Sequence, residues 1–332
     1  MGQLAQVLRE VIGERDERLL VGPQTIDDAG VVVLGEAEGV PASSGVALVQ
    51  TVDYFPPVLD DPRLYGAVAA ANALSDVYAM GGRPLSALNL AGFPEEFPEE
   101  WVLEIFRGGF EKIRESGAVL AGGHTVQSVE PLFGFAITGT IDRTRVITNS
   151  GARPGDVMYL TKPLGMGTLT TAGKLGKIEW EDLRPAAESM ATLNDRAAEA
   201  MIVAAAHACT DITGFGLVGH ASNIAAGSGV TLRFRTADLP VFPGALELAR
   251  KGVFSGGRAR GKAALGDVVK VAVGIEPALE GIVFDAETSG GLLIVVDPGE
   301  ASTLERELAA RDVPVRLVGE VITRTEDRIE LV

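Results

Sequence analysis

Five aspartates of this chain stand where aspartates are costly. Asp27 and Asp28 sit in "TIDDAGVVV", just ahead of an apolar run. Asp53 closes "ALVQTVD", Asp76 lies in "NALSDVYAMGG", and Asp211 interrupts "ACTDITGFG". Their neighbours are apolar or small, not Lys or Arg. An isolated carboxylate near a core is unfavourable unless something cationic joins it. Several converging on one pocket would form an oxygen-only site suited to Mg2+, which takes one or two carboxylates with substrate phosphates and water. Singly, each has a plainer reading. Asp27-Asp28 is a turn, Asn72 and Asp76 share a solvated helix face at i,i+4, and Asp211 lies at a helix N-cap.

Other chemistries lack their motifs. The stretch nearest to a phosphate loop, "GMGTLTTAGKL", has Thr168 where the first glycine belongs and Leu175 where a hydroxyl should follow. It also lacks the third glycine of a dinucleotide fingerprint. His124, His207 and His220 are far apart in sequence, and with the lone Cys209 they offer no zinc-type spacing. No GxSxG elbow supports a serine nucleophile.

The elements that must position these aspartates are short strands and helices in alternation. "GVVVL" (30–34) and "VALVQTVD" (46–53) have strand character, a helix spans 64–80, and "LSALNLAGF" (85–93) is a strand. A helix over 98–115 and the strands "AVLAGG" and "FGFAITGTID" complete the first half. The Gly/Pro cluster "NSGARPGD" (149–156) marks a boundary, giving domains 1–152 and 153–332. The second half opens with a strand running into a glycine turn (157–165). Helices follow over 165–175 and 186–207, then a strand end, turn and helix in "CTDITGFGLVGH". "GVTLRF", "GLLIVV" and "VRLVGEVI" are strands, and 299–311 is a helix. The pattern implies an α/β protein with mixed sheets.

Bulk properties bound the partners. With 29 basic and 45 acidic side chains the chain carries a formal charge of -16. That argues against nucleic acid or an anionic membrane as main partner. A single cysteine excludes an intrachain disulfide and fits a reducing compartment. No apolar run is long enough to span a bilayer. Leu4, Val7, Leu8, Val11 and Ile12 recur at helical spacing, so residues 3–14 are a helix rather than a signal peptide. The expectation is a cytoplasmic protein.

Taken together, "LLVGPQTIDDAGVV", "QTVDYFPPVLDDP", "AAANALSDVYAMGGRPLSALNLAGFP", "LAGGHTV", "NSGARPGDVMYLTKPLGMG", "ACTDITGFGLVGH" and "DAETSGGLLIVV" resemble the selenide, water dikinase (selenophosphate synthetase) family. They cover the chain from about residue 18. The resemblance implies a two-domain architecture like that of aminoimidazole ribonucleotide synthetase, with N-terminal domains pairing in a homodimer to close a β-barrel. It implies ATP and selenide as substrates, Mg2+ as cofactor, and selenophosphate, AMP and phosphate as products. Carried over residue by residue, Asp28, Asp76 and Asp211 would ligate Mg2+. Thr25, Ile26, Asp27, Asp53, Asp76, Gly123, His124 and Thr125 would contact ATP.

The sequence departs from the family in two places. A catalytic Cys or selenocysteine, followed three residues later by Lys, belongs ahead of the first helix. Here the sequence starts at that helix, so both are expected upstream of Met1 and no catalytic residue is assigned within the chain. Trimming, a start displaced by a selenocysteine codon, and true loss all account for this. In "SGGRARGKAAL", Arg258 and Gly261 stand where the family tends to carry Thr and Asn. The alternatives are a non-catalytic nucleotide-binding regulator, or a sibling ATP-dependent kinase or synthetase of the superfamily.

Overall fold

The computed structural model describes residues 16–23, 25 and 27–332; the helix expected over 3–14 and Ile26 lie outside them. The first half forms a six-stranded sheet from β1 (Leu19–Val21), β2 (Gly30–Val33), β3 (Val46–Phe55), β4 (Arg83–Phe93), β5 (Val119–Gln127) and β6 (Leu132–Asp142). Their spatial order is β1-β2-β3-β6-β4-β5. Helix α1 (Pro62–Ala79) follows β3, and α2 (Glu99–Glu115) carries the chain from β4 to its parallel neighbour β5. The other neighbours are antiparallel, with β3 and β6 in register from Val46↔Asp142 to Phe55↔Phe133. Ala47 and Val49 are buried while Gln50, Val52 and Tyr54 are exposed. The two-residue period therefore turns Thr51 and Asp53 toward the covered face.

Asp61 starts α1, its Oδ1 accepting the Leu64 amide at 2.8 Å, with Pro62 at the first helical turn. Both are helix-start chemistry. Every residue from Tyr65 to Ala79 is buried, so this is a core helix and not a surface one. That corrects the solvated-face reading of Asn72 and Asp76, which are only 6% and 9% exposed. Alanines and glycines let the neighbours close in. A Cβ on Gly66 would stand 1.9 Å from the Ile105 carbonyl oxygen, and one on Gly108 1.8 Å from that of Arg63. Helices α1 and α2 thus cross backbone to backbone.

The second half builds a seven-stranded sheet. Along the chain it runs β7 (Val157–Leu160), α3 (Met166–Lys174), α4 (Trp180–Met190), α5 (Asp195–Val203), β8 (Ala208–Asp211), α6 (Gly216–Ser228) and β9 (Val230–Phe234). It continues through α7 (Ala245–Arg250), α8 (Gly256–Leu265), β10 (Val269–Val271), α9 (Pro277–Val283), β11 (Leu292–Val296), α10 (Ala301–Ala309), β12 (Arg316–Thr323) and β13 (Ile329–Leu331). The strand order is β10-β13-β9-β12-β7-β11-β8, with β13 parallel to both its neighbours. The helix expected over 186–207 is two helices. The chain breaks at 191–194, where the Asn194 side-chain amide donates to Ser75 Oγ and to the Gly290 carbonyl, both at 2.9 Å. The sequence reading placed nothing at α7, α8, α9, β10 or β13.

Two apolar cores result, and α1 belongs to both. Val68 packs in one with Leu160, Leu217 and Ile282; Leu74 and Val77 pack in the other with Cys209, Ile294 and Leu304. The helix is a wall between the two sheets.

Candidate active site

Four carboxylates meet beside that wall, each brought by a different element. Asp28 comes from the turn before β2, Asp53 from the covered face of β3, Asp76 from the last turn of α1, and Asp211 from the end of β8. Asp53 Oδ2 accepts from Asn72 Nδ2 at 2.8 Å, and Asp76 Oδ2 accepts from the Thr51 hydroxyl. Asp28 Oδ1 accepts from Thr210 Oγ1 at 2.8 Å. Asp28 Oδ2 and both oxygens of Asp211 are buried with no well-formed hydrogen bond among the described residues, although the Ser75 hydroxyl lies near enough to Asp211 to favour its charge. Buried oxygens of this kind are rarely left bare.

Their electrostatics follow from this crowding. Burial raises the Asp211 carboxyl to about 6, while nearby Ser75 and Lys162 pull it back. Burial first, and then the Asp211 charge, raises Asp53 to about 7 despite the Asn72 bond. The same two causes push Asp28 and Asp76 well above the ordinary carboxylate range. The charge of Asp211 thus opposes ionisation of the other three. Without a cation the cluster is frustrated; a cation among them would give the orphaned oxygens a partner. The oxygen-rich donor set and the orphaned atoms fit a hard divalent ion.

A network that the sequence reading did not identify holds the cluster. Asn72 Oδ1 accepts the Ser289 amide at 2.8 Å, so this side chain ties Asp53 to the loop before β11. Ser289 adopts φ 49° and its hydroxyl is buried without a partner among the described residues. Its carbonyl and that of Thr192 accept from the buried Lys162 ammonium at 2.9 and 2.8 Å. Burial lowers Lys162 to about 7, against the attraction of Asp211. Glu287 accepts the Gly165 and Met166 amides at 2.7 and 2.8 Å. A protein carboxylate thus fills the start of α3, the stretch whose glycines superficially suggest a phosphate loop. Burial raises Glu287 to about 8.

His220 is the other omission. No linear spacing pairs it with a ligand, yet one ring nitrogen lies with a carboxylate oxygen of Asp28 and one of Asp211, all within 4.8 Å of one another. The "TGFG" turn folds α6 back over β8. Gly216 makes this turn possible, with φ 68° and a space in which a Cβ would stand 2.4 Å from the Asp285 carbonyl oxygen. Burial lowers His220 to about 4.

The remaining expected residues divide. Asp27 borders the cluster, its Oδ1 accepting the Asn149 amide at 2.8 Å. Thr25 is exposed in a turn, its hydroxyl bonded to the Gly22 carbonyl at 2.9 Å. Gly123, His124 and Thr125 are exposed on β5 and are not brought to the aspartates of their own chain. Asp53 pairs with Phe135, Phe135 with Asn89, and Asn89 with Gly123, a separation of three strand spacings or roughly 14 Å. Gly123 also has a local cause: a Cβ there would stand 2.1 Å from Asn89 Oδ1. A separate cleft of about 660 Å³, lined by Tyr78, Arg83, Asp195 and Arg311, contains none of the four carboxylates.

Comparison with known proteins defines the class. "AIR synthase related protein, N-terminal domain" matches residues 26–141, and "AIR synthase related protein, C-terminal domain" matches 153–332. The structure of AaThiL complexed with AMPPCP and TMP shares this fold, with a TM-score of 0.73 at 19% identity over 99% of this chain and 92% of that one. Within that class, the selenide, water dikinase of Caldanaerobacter subterraneus subsp. tengcongensis is 47% identical over 305 residues, 92% of this chain and 86% of that protein. That of Geobacter metallireducens is 43% identical over 328 residues, 98% and 93% of the two chains. The chain belongs to the selenide, water dikinase family.

Proposed function

We propose that this chain forms selenophosphate from selenide, ATP and water, releasing AMP and phosphate, with the carboxylate cluster as its metal–triphosphate site. The observation that carries the assignment of the site is the convergence of four carboxylates, two buried and two half-buried, three of whose oxygens have no hydrogen-bond partner among the described residues. Asp28, Asp76 and Asp211 would hold Mg2+; bound there, the ion would neutralise the phosphates and stabilise charge on the transferring groups. Asp53, fixed by Asn72, faces the same space, and Thr25, Ile26 and Asp27 flank it in sequence. The chain's own contribution is rigidity. Thr51, Thr210 and Asn72 fix one oxygen each and leave the others free, while Lys162 and Glu287 lock the loops behind.

The uncovered face of the first sheet supports a homodimer. Val52, Tyr54, Leu88 and Val126 are about half exposed there, an apolar patch of the kind that marks an interface. A second copy closing a barrel on this face would let Gly123, His124 and Thr125 reach a nucleotide held by its partner's aspartates, a distance they cannot cover within one chain. The two halves, divided at residues 152 and 153, would then form a dimerising nucleotide domain and an outer domain. Calorimetry with ATP in the presence and absence of Mg2+ tests the site. Mg2+-dependent affinity is expected, and no affinity under either condition overturns it.

A further inference from the structure

His220 sits where a metal ligand would be sought, but its hydrogen bonds argue otherwise. The Thr213 backbone N–H donates to His220 Nε2 at 3.2 Å, and Thr213 Oγ1 lies 3.1 Å from the same atom. A backbone N–H can only donate, so Nε2 is the unprotonated nitrogen and the proton sits on Nδ1. Nδ1 is buried and has no hydrogen-bond partner among the described residues. If Nδ1 is the atom facing Asp28 and Asp211, it has no lone pair for a metal. If Nε2 faces them, its lone pair is already taken by Thr213. Coordination by either atom would break the Thr213 bond. The free hydrogen-bonding group of the ring is therefore Nδ1–H, a donor.

We propose that His220 contacts the anionic ligand held at Asp28 and Asp211 as a neutral Nδ1–H donor, and is not a metal ligand. The inference rests on reading the cluster as a metal–triphosphate site and adds a specific recognition element: a donor for an anionic oxygen, placed among acceptors. A site made only of carboxylates can hold phosphate oxygens only through cations. A fixed N–H beside them adds direct selectivity for an oxygen acceptor, because a ligand lacking one leaves the donor bare.

Two measurements test this. Long-range 1H–15N correlation spectra of the metal-free chain, labelled at its three histidines, report the tautomer directly. His220 is expected in the Nδ1–H form, and the Nε2–H form overturns the proposal. Spin-echo spectra of the Mn2+-loaded chain then read ligation. No histidine 14N coupling is expected, and a coupling that disappears in His220→Leu overturns it. For binding, His220→Leu should weaken a non-hydrolysable ATP analogue with Mg2+ by about tenfold or more, while His220→Asn, which keeps a donor near Nδ1, stays within about threefold. Equal affinity of His220→Leu and wild type defeats the proposal. A wild-type chain that binds no nucleotide defeats the site assignment instead.

Discussion

Replacing Asp211 by Asn should make the metal-free protein more stable and the loaded protein weaker. Asp211 is 1% exposed, both its oxygens lack well-formed hydrogen bonds among the described residues, and its charge raises the pKa of Asp28, Asp53 and Asp76. An oxygen of Asp28 lies within 4.8 Å of one of Asp211, so as full charges the pair repel by about 3 kcal/mol at an effective dielectric constant near 20. Little attraction for Lys162 is lost with Asp211, because burial lowers Lys162 to about 7 and at pH 8 it is mostly neutral, held by its two carbonyl partners. The balance is a gain on the order of 2 kcal/mol at pH 8, or about 3 °C for a cooperative unit of this size. The same substitution deletes a proposed metal ligand. Thermal unfolding at pH 8 in EDTA and calorimetry with Mg2+ and an ATP analogue read the two effects. A lower melting temperature in EDTA, or an unchanged nucleotide affinity, refutes the reasoning.

Three further outcomes follow from the same geometry. In EDTA, stability should fall as pH rises from about 4 to about 7: folded Asp211 and Asp53 titrate near 6 and 7 but near 3.8 when unfolded, so across that window the native state binds more protons. Urea midpoints at pH 5 and pH 8 check the sign, and saturating Mg2+ with the ATP analogue should flatten the slope. Gly108→Val places a side chain against the Arg63 carbonyl oxygen and should cost about 3 kcal/mol or more, read as a lower urea midpoint. Val52→Lys with Tyr54→Lys puts charge on the half-exposed sheet face; light scattering should then give the mass of a monomer while wild type gives a dimer.

What the sequence disclosed depended on how local each cause was. Helix α1 was legible as a helix over 64–80, close to the observed Pro62–Ala79, because helix-forming alanines and the glycines that stop them are local signals. Its burial on all sides was not, because that needs both sheets in place. The break between α4 and α5 has no local signal, since Asn194 is recruited by Ser75 and Gly290, 119 and 96 residues away. The aspartates stood out because charge beside apolar residues is conspicuous in one dimension. Lys162, Glu287 and Ser289 lie in the quoted strings "TKPLGMG" and "DAETSGG", but their partners are largely backbone groups that only topology supplies. His220 was set aside for lack of linear ligand spacing, whereas the turn at Gly216 brings it to Asp211. Gly123, His124 and Thr125 show the converse: a motif legible in the sequence lies far from its expected partners when only one chain is considered.

The position of α1 has a consequence for folding. A chain with two sheets would ordinarily be free to melt in two steps, one for each half. Here the same eighteen-residue helix supplies buried side chains to both apolar cores, and through Asn72 it also anchors the loop that leads into β11. Losing either half would strip α1 of packing and expose the other core. Unfolding should therefore be a single cooperative event, with the α1 amides among the slowest to exchange with solvent.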